Sequence, residues 1–335
     1  MKTILRTAKL KIGYTSQKQG ETVIADGLTL SLKRGELVCL LGPNGVGKST
    51  LIRALAGIDR HLGGSIELEG KDVSRLSPKQ RARLTSVVLT DALPVGMLSV
   101  YSLVALGRFP HSRWTGRLSS QDHGRIEESL ETMGISHLAK RQFHELSDGE
   151  RQKALVARAL AQEASVLMLD EPTAFVDLPR RVELIHVLVE LARRAEIAIL
   201  LSSHDLDLSL RCADRLWLMS SGGKVIHGYP EDLALSGQVA AAFESESVNW
   251  DKDEGSFKLQ RRLEKRAHLE GEGSEALWTR RALSRKGFML AEGREEADLE
   301  VIVNRTENHA NWEARLSGSW RAFDSLESLF DWIDA

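Results

Sequence analysis

Cysteine is scarce: the 335 residues include only two, Cys39 and Cys212. Both lie in apolar stretches, so the fold does not rest on a disulfide scaffold, and such usage fits a reducing compartment. Charge of one sign is also lacking, since the formal net charge is only −2. That balance carries no electrostatic footprint for nucleic acid, and no block of like charge marks a disordered tail. No uncharged apolar run approaches the ~20 residues that a membrane span needs. Residues 1–8 lack the apolar core of a signal peptide. The expectation is a soluble protein that works at a membrane only if something else crosses it. Internal repeats and long heptad seams are absent as well.

The chain is long enough for one large domain and a small one. Short apolar pieces such as Leu10 with Ile12, Val23 with Ile24, and Leu28 with Leu30 and Leu32 are separated by Gly13, Gly20 and Gly27. They read as antiparallel strands. Residues 37–41 form a continuous apolar run, as a strand buried on both faces requires. Residues 98–160 take helical spacing, as in Ile126, Leu130 and Met133. Strands predicted at 166–169, 197–201 and 215–219 then alternate with helices at 178–194 and 205–212. This alternation predicts a mostly parallel sheet covered by helices. Residues 245–255 are polar and acidic (Glu246, Asp251, Asp253, Glu254) and read as a linker. The expected division is therefore 1–244, a linker at 245–255, and a small α+β unit at 256–335. In that unit Trp278, Trp312, Trp320 and Trp332 read as core or interface anchors. Leu326, Leu329, Phe330 and Ile333 have the spacing of a terminal helix.

The segment Gly42-Pro43-Asn44-Gly45-Val46-Gly47-Lys48-Ser49-Thr50 fits a phosphate loop, with a buried strand before it and a helix after it. Its glycines let backbone N–H groups converge on oxygen anions. The helix start adds roughly +0.5 of a charge. Lys48 supplies a full charge, Ser49 a hydroxyl for Mg²⁺, and Thr50 a bond to another phosphate oxygen. Downstream, the apolar strand at 166–169 ends in Asp170 and Glu171. Two carboxylates at a buried strand tip need a cation or donors. The pattern assigns Asp170 to the metal and Glu171 to the attacking water.

Four further features join these: Leu146-Ser147-Asp148-Gly149-Glu150 at a helix start, Asp177 after the acid pair, His204 after a strand, and Tyr14 upstream of the loop. In this order and spacing the set resembles the nucleotide-binding subunit of an ABC transporter. The resemblance covers about 5–243. It implies a P-loop ABC cassette of the α/β class, in which a mixed sheet core carries an antiparallel β subdomain and a helical subdomain at about 91–160. The small C-terminal α+β unit lies outside it. Carried over residue by residue, it implies that Tyr14 stacks on adenine and that Asp177 bridges a dimer interface. It implies that Ser147 and Gly149 cap the γ-phosphate of ATP held by a second copy. It also implies that His204 contacts the γ-phosphate in its own copy's site and positions the water. Two ATP molecules are then sandwiched in a head-to-tail homodimer. Read alone, Tyr14 is equally an edge-strand aromatic, His204 a polar cap, Ser147 a helix N-cap and Asp177 a helix-entry residue.

Two positions depart from the family pattern. Thr90 stands where a glutamine is usual, and the shorter side chain reaches Mg²⁺ only through a water. Asp148 replaces a glycine and places negative charge near a phosphate. It is expected to point away or to pair, with Arg151 the candidate partner. The hydrophobic stretch 94–110, with Val95, Met97, Leu98 and Tyr101, suits the docking of a permease helix. Its wording is similar to subunits of importers for iron chelates (siderophores, haem) and cobalamin. The resemblance implies integral-membrane permease partners and, indirectly, a periplasmic or lipoprotein substrate-binding protein. It places the chain at the cytoplasmic face of the inner (plasma) membrane. A soluble ABC-type ATPase acting on ribosomes or DNA is the rival reading, and a small-molecule kinase a remoter one. For the C-terminal unit, a structural or dimer-stabilising role is expected ahead of ligand sensing.

Overall fold

The computed structural model describes residues 2–16, 20–90, 97–112, 117–174, 176–243, 248–251, 255–259, 265–305, 310–316 and 318–335. Residue Val95 lies outside them. The chain forms two compact units, Met1–Glu244 with Trp250–Phe257, and Ser245–Asn249 with Lys258–Ala335. Among the described residues no helix is long and apolar enough to cross a membrane.

The first unit opens with an antiparallel sheet. Strands β1 (Thr3–Ser16), β2 (Gly20–Leu28) and β3 (Ser31–Lys33) precede the central strand β4 (Leu37–Leu41) and helix α1 (Lys48–Leu55). Strands β5 (Gly63–Leu68) and β6 (Lys71–Asp72) complete the order β2-β1-β5-β6, with β3 also on β1. Helix α2 (Pro78–Leu84) and strand β7 (Thr85–Val88) lead into a helical region of α3 (Val100–Ala105), α4 (Ser120–Thr132) and α5 (Asp148–Ala161). Strand β8 (Val166–Asp170), helix α6 (Leu178–Ala195), strand β9 (Ala198–Ser202), helix α7 (Leu206–Cys212) and strands β10 (Arg215–Met219) and β11 (Val225–Gly228) follow. Helices α8 (Pro230–Leu235) and α9 (Gln238–Phe243) end this run.

The six-stranded sheet has the order β11-β10-β4-β9-β8-β7. Every neighbouring pair is parallel except β10 with β11. Both faces are covered, which explains the uninterrupted apolar runs. Alternate side chains enter opposite cores, as the two-residue period of a strand dictates. Leu37, Cys39 and Leu41 pack with Leu167, Leu169, Ile199 and Leu201 and with the helical region. Val38 and Leu40 pack with Val166, Met168, Leu200 and Trp217, and with Leu51, Ile52 and Leu55 of α1. Burial drives the Cys39 thiol up to about 12, so it serves as an inert core residue.

The helical region is locked by Arg108. Its Nε donates to Asp122 Oδ1 at 2.8 Å, and Nη1 donates to the Ala161 carbonyl at 2.7 Å and to Glu163 Oε2 at 2.6 Å. Gly107 permits this approach, since a Cβ there would lie 2.2 Å from the Arg158 carbonyl oxygen.

The stretch read as a linker carries strands β12 (Val248–Asp251) and β13 (Ser256–Leu259), which pair as a two-stranded sheet. Trp250 is buried with the core of the first unit, 5.0 Å edge-on to Phe257, which stands 6.0 Å from Phe243. One indole among acids outweighs their polarity here, because its large apolar area leaves water.

The second unit has strands β14 (Lys265–Glu270), β15 (Phe288–Leu290), β16 (Leu299–Arg305), β17 (Ala310–Leu316) and β18 (Arg321–Phe323) in the order β15-β14-β16-β17-β18. Helix α10 (Gly273–Arg285) connects the parallel pair β14 and β15, and α11 (Leu326–Asp334) ends the chain. Leu329 and Phe330 of α11 are buried, as their spacing predicts. Trp312 is a core anchor whose Nε1 donates to Thr279 Oγ1 at 2.7 Å. Trp278 is 57% exposed beneath Arg281, so it is not part of this unit's core.

Candidate functional site

The site is assembled at the carboxyl ends of β4, β8 and β9, where an open α/β sheet places its ligands. Register makes this inevitable: Leu40 of β4 pairs with Ser202 of β9, and Ser202 pairs with Asp170 of β8. The three strand tips therefore lie side by side, and the loops that leave them share one mouth.

Gly42 through Gly47 curl between β4 and α1. A Cβ on Gly42 would fall 2.2 Å from the Met219 carbonyl oxygen. Gly47, at φ 110, would place one 2.3 Å from Ile24 Cγ2. Neither position accepts a side chain. At Gly45, by contrast, nothing lies within 4 Å of such an atom, so that side of the cradle is open. Pro43, Asn44 and Val46 complete the turn. Lys48 is buried, and its Nζ donates to the carbonyls of Gly42 at 2.9 Å and Pro43 at 3.2 Å. Burial draws this ammonium below its ordinary range, while the nearby carboxylates of Glu171 and Asp170 pull the other way. Ser49 is exposed beside it.

Asp170 is buried at the tip of β8. The fully buried Ser202 joins the acid pair: its hydroxyl donates to Asp170 Oδ1 at 2.7 Å and accepts from the Glu171 N–H at 2.9 Å. Glu171 turns out of the strand at φ 49. Its Oε1 lies 2.5 Å from His204 Nε2 and 4.0 Å from Lys48 Nζ. Against a carboxylate the ring nitrogen is the donor, so His204 holds the same carboxylate oxygen that the lysine ammonium faces. Thr90 Oγ1 donates to the Asp170 carbonyl at 2.9 Å, so its proton is committed to the strand tip. The donors present suit a hard divalent cation bound together with phosphates: one hydroxyl (Ser49), one carboxylate (Asp170), and no all-protein cage among the described residues.

Tyr14 is 54% exposed, and its hydroxyl shares a 2.5 Å hydrogen bond with Thr50 Oγ1 at the start of α1. The hydroxyl contact ties the exposed Tyr14 side chain to the helix that follows the phosphate loop. The remaining residues form a separate cluster. Ser147 starts α5, and its hydroxyl and N–H both donate to Glu150 Oε2 at 2.8 Å. Asp148 pairs with Arg151 at 3.3 Å, the expected partner. Asp177 caps α6 by accepting from the Arg180 N–H at 3.1 Å. The structure therefore brings together Tyr14, the phosphate loop, Asp170, Glu171, Thr90 and His204. Ser147, Gly149 and Asp177 form the second group, with Arg180 donating to Ser147 Oγ at 3.3 Å.

Ser202 and Arg180 escaped the sequence reading. The only signal for Ser202 was a polar residue ending an apolar strand. For Arg180 it was a basic residue three places after Asp177.

Residues 25–174 match the family model of ABC transporters, and residues 264–334 match that of the iron ABC transporter C-terminal domain. The chain is 38% identical over 257 residues to an uncharacterized ABC transporter ATP-binding protein of Methanocaldococcus jannaschii, covering 77% of this chain and 87% of that protein. It is 33% identical over 246 residues to the petrobactin import ATP-binding protein FpuD of Bacillus anthracis, covering 73% of this chain and 88% of that one. Among solved structures it aligns at a TM-score of 0.61 and 27% identity with a chain of a transporter described as metal-chelate type, solved in an inward-facing conformation. That match covers 76% of this chain and 95% of the other.

Proposed function

Because the chain belongs to the ATP-binding proteins of ABC transporters, an ATPase family, we propose that it is the motor subunit of an importer for an iron chelate or cobalamin. In this reading it acts with a separate integral-membrane permease, at the cytoplasmic face of that membrane. A substrate-binding protein outside the membrane delivers the cargo, and two copies of the chain form a head-to-tail dimer around two ATP molecules. The likeness to a petrobactin importer subunit supports the cargo class, as does the match of residues 264–334 to an iron-transporter domain.

One observation carries the reading: Glu171 Oε1 lies 2.5 Å from His204 Nε2 and 4.0 Å from Lys48 Nζ at the mouth of the phosphate loop. Lys48 and the backbone N–H groups of residues 44–50 hold the β- and γ-phosphates. Tyr14 stacks on the adenine, and its bond to Thr50 ties the side chain to the helix after the loop. Ser49 and Asp170 would hold Mg²⁺, with Thr90 fixing the Asp170 end of the strand. When bound with the nucleotide, that ion neutralises phosphate charge. Glu171 takes the proton of the attacking water, and His204 orients it. Ser147, Gly149 and Asp177 meet the nucleotide of the other copy. The exposed Met97 and Phe109, 88% and 76% accessible, flank α3 and are offered to the permease.

Glu171→Gln tests the central role. The variant is expected to bind ATP normally, to lose roughly 10²–10⁴-fold in hydrolysis, and to accumulate as an ATP-bound dimer in size-exclusion chromatography. Unimpaired turnover would remove Glu171 as the base. Copurification with a multi-span permease, rather than with ribosomes or DNA, tests the partner.

A further inference from the structure

Arg180 lies across the second cluster. It occupies the first turn of α6, where the Asp177 cap fixes its backbone. Its Nη1 donates to Ser147 Oγ at 3.3 Å, and a Cβ on Gly149 would lie 3.2 Å from its Cδ and 3.3 Å from its Nη1. Its Nε also lies 3.6 Å from Asp177 Oδ2, and nearly half of the side chain remains accessible, so the guanidinium covers the glycine face and still presents part of its fork to an incoming group.

The charges around it call for such a cation. Asp148 and Glu150 place two carboxylates in the first turn of α5, beside the place where a phosphate is to be received. Arg151 is already engaged, pairing with Asp148 at 3.3 Å and donating to the His144 carbonyl at 2.7 Å. Bonds from the Ser147 N–H and hydroxyl hold the Glu150 carboxyl below its usual range, with Arg141 and Arg180 assisting. An arriving phosphate therefore meets an ionised Glu150 and a serine whose proton points away. Arg151 and Arg141 offset part of this repulsion, and Arg180 adds positive charge at Gly149 itself. A guanidinium does so well, because its planar fork can bind two phosphate oxygens at once.

We propose that Arg180 is a phosphate-binding residue acting across the dimer, its guanidinium contacting the γ-phosphate of the ATP held by the second copy and offsetting the Asp148 and Glu150 carboxylates. This rests on the sandwich dimer of the proposed function and adds a contact to it. The Lys48 loop binds nucleotide within one protomer, so Arg180 governs dimer closure and not monomer affinity.

The test uses the full chain carrying Glu171→Gln, with light scattering after size exclusion to follow dimerisation against ATP concentration. A fluorescent ATP analogue reports monomer affinity. Adding Arg180→Ala is expected to raise the ATP concentration for dimerisation by about tenfold to a hundredfold, with analogue affinity and melting temperature unchanged. Arg180→Lys should retain part of the effect. Glu150→Gln added to Arg180→Ala should restore dimerisation in part, which a merely structural role for Arg180 does not predict. Dimerisation of the Arg180→Ala chain at the parent's ATP concentration overturns the assignment of Arg180 alone. So does a parallel loss of analogue affinity. Failure of the Glu171→Gln parent to dimerise with ATP rejects the sandwich reading, and this inference falls with it.

Discussion

At the scale of single residues, the phosphate loop and acid pair were legible because their chemistry is written in consecutive positions. Ser202 was not, because its task exists only once β8 and β9 pair in register and set its hydroxyl between Asp170 and Glu171. The Tyr14 hydroxyl bond to Thr50 is likewise a long-range contact that no local pattern announces. Ser202→Ala is expected to strand the half-buried Glu171 N–H and release the buried Asp170 carboxylate. The cost is about 1–3 kcal/mol of stability, read by chemical denaturation. Hydrolysis should fall with little change in nucleotide affinity, because Lys48 and the loop are untouched.

Elements were legible where an apolar stripe faced a core. The strands β4, β8, β9 and β10 and the helix α6 follow their hydrophobic periods closely. Helix α2 was missed because none of its residues is buried; it is declared instead by a capping box between Ser77 and Gln80 with Pro78 at its first position. The helical region depends on the buried pair of Arg108 and Asp122. Bonds from Ser119, side chain first and then backbone, together with Arg108, hold the Asp122 carboxyl at about 2, below its ordinary 3.8. A depressed acid stabilises the fold above its unfolded value and loses that contribution as pH falls through its folded value. Asp122→Asn should therefore destabilise the protein by about 3 kcal/mol at neutral pH. The gap between variant and parent should close as pH drops from about 4 to about 2, measured by urea denaturation across that range.

For the whole molecule, two units were legible from composition, but the boundary between them was not. The acidic stretch reads as a tether by charge, yet Trp250 and Phe257 complete the core beneath Phe243. A chain ending at residue 259 should accordingly melt within a few degrees of the intact cassette transition. One ending at residue 243 should melt markedly lower, having lost two aromatic side chains worth roughly 1.5–3 kcal/mol each. Differential scanning calorimetry of the two truncations decides it. The grip of Lys48 on the carbonyls of Gly42 and Pro43 also matters for a protein that must discharge its fuel and wait. A buried ammonium with no acceptor would push its loop apart each time product departed. Self-engaged, it lets the idle engine keep its shape between strokes, ready for the next nucleotide without refolding the cradle.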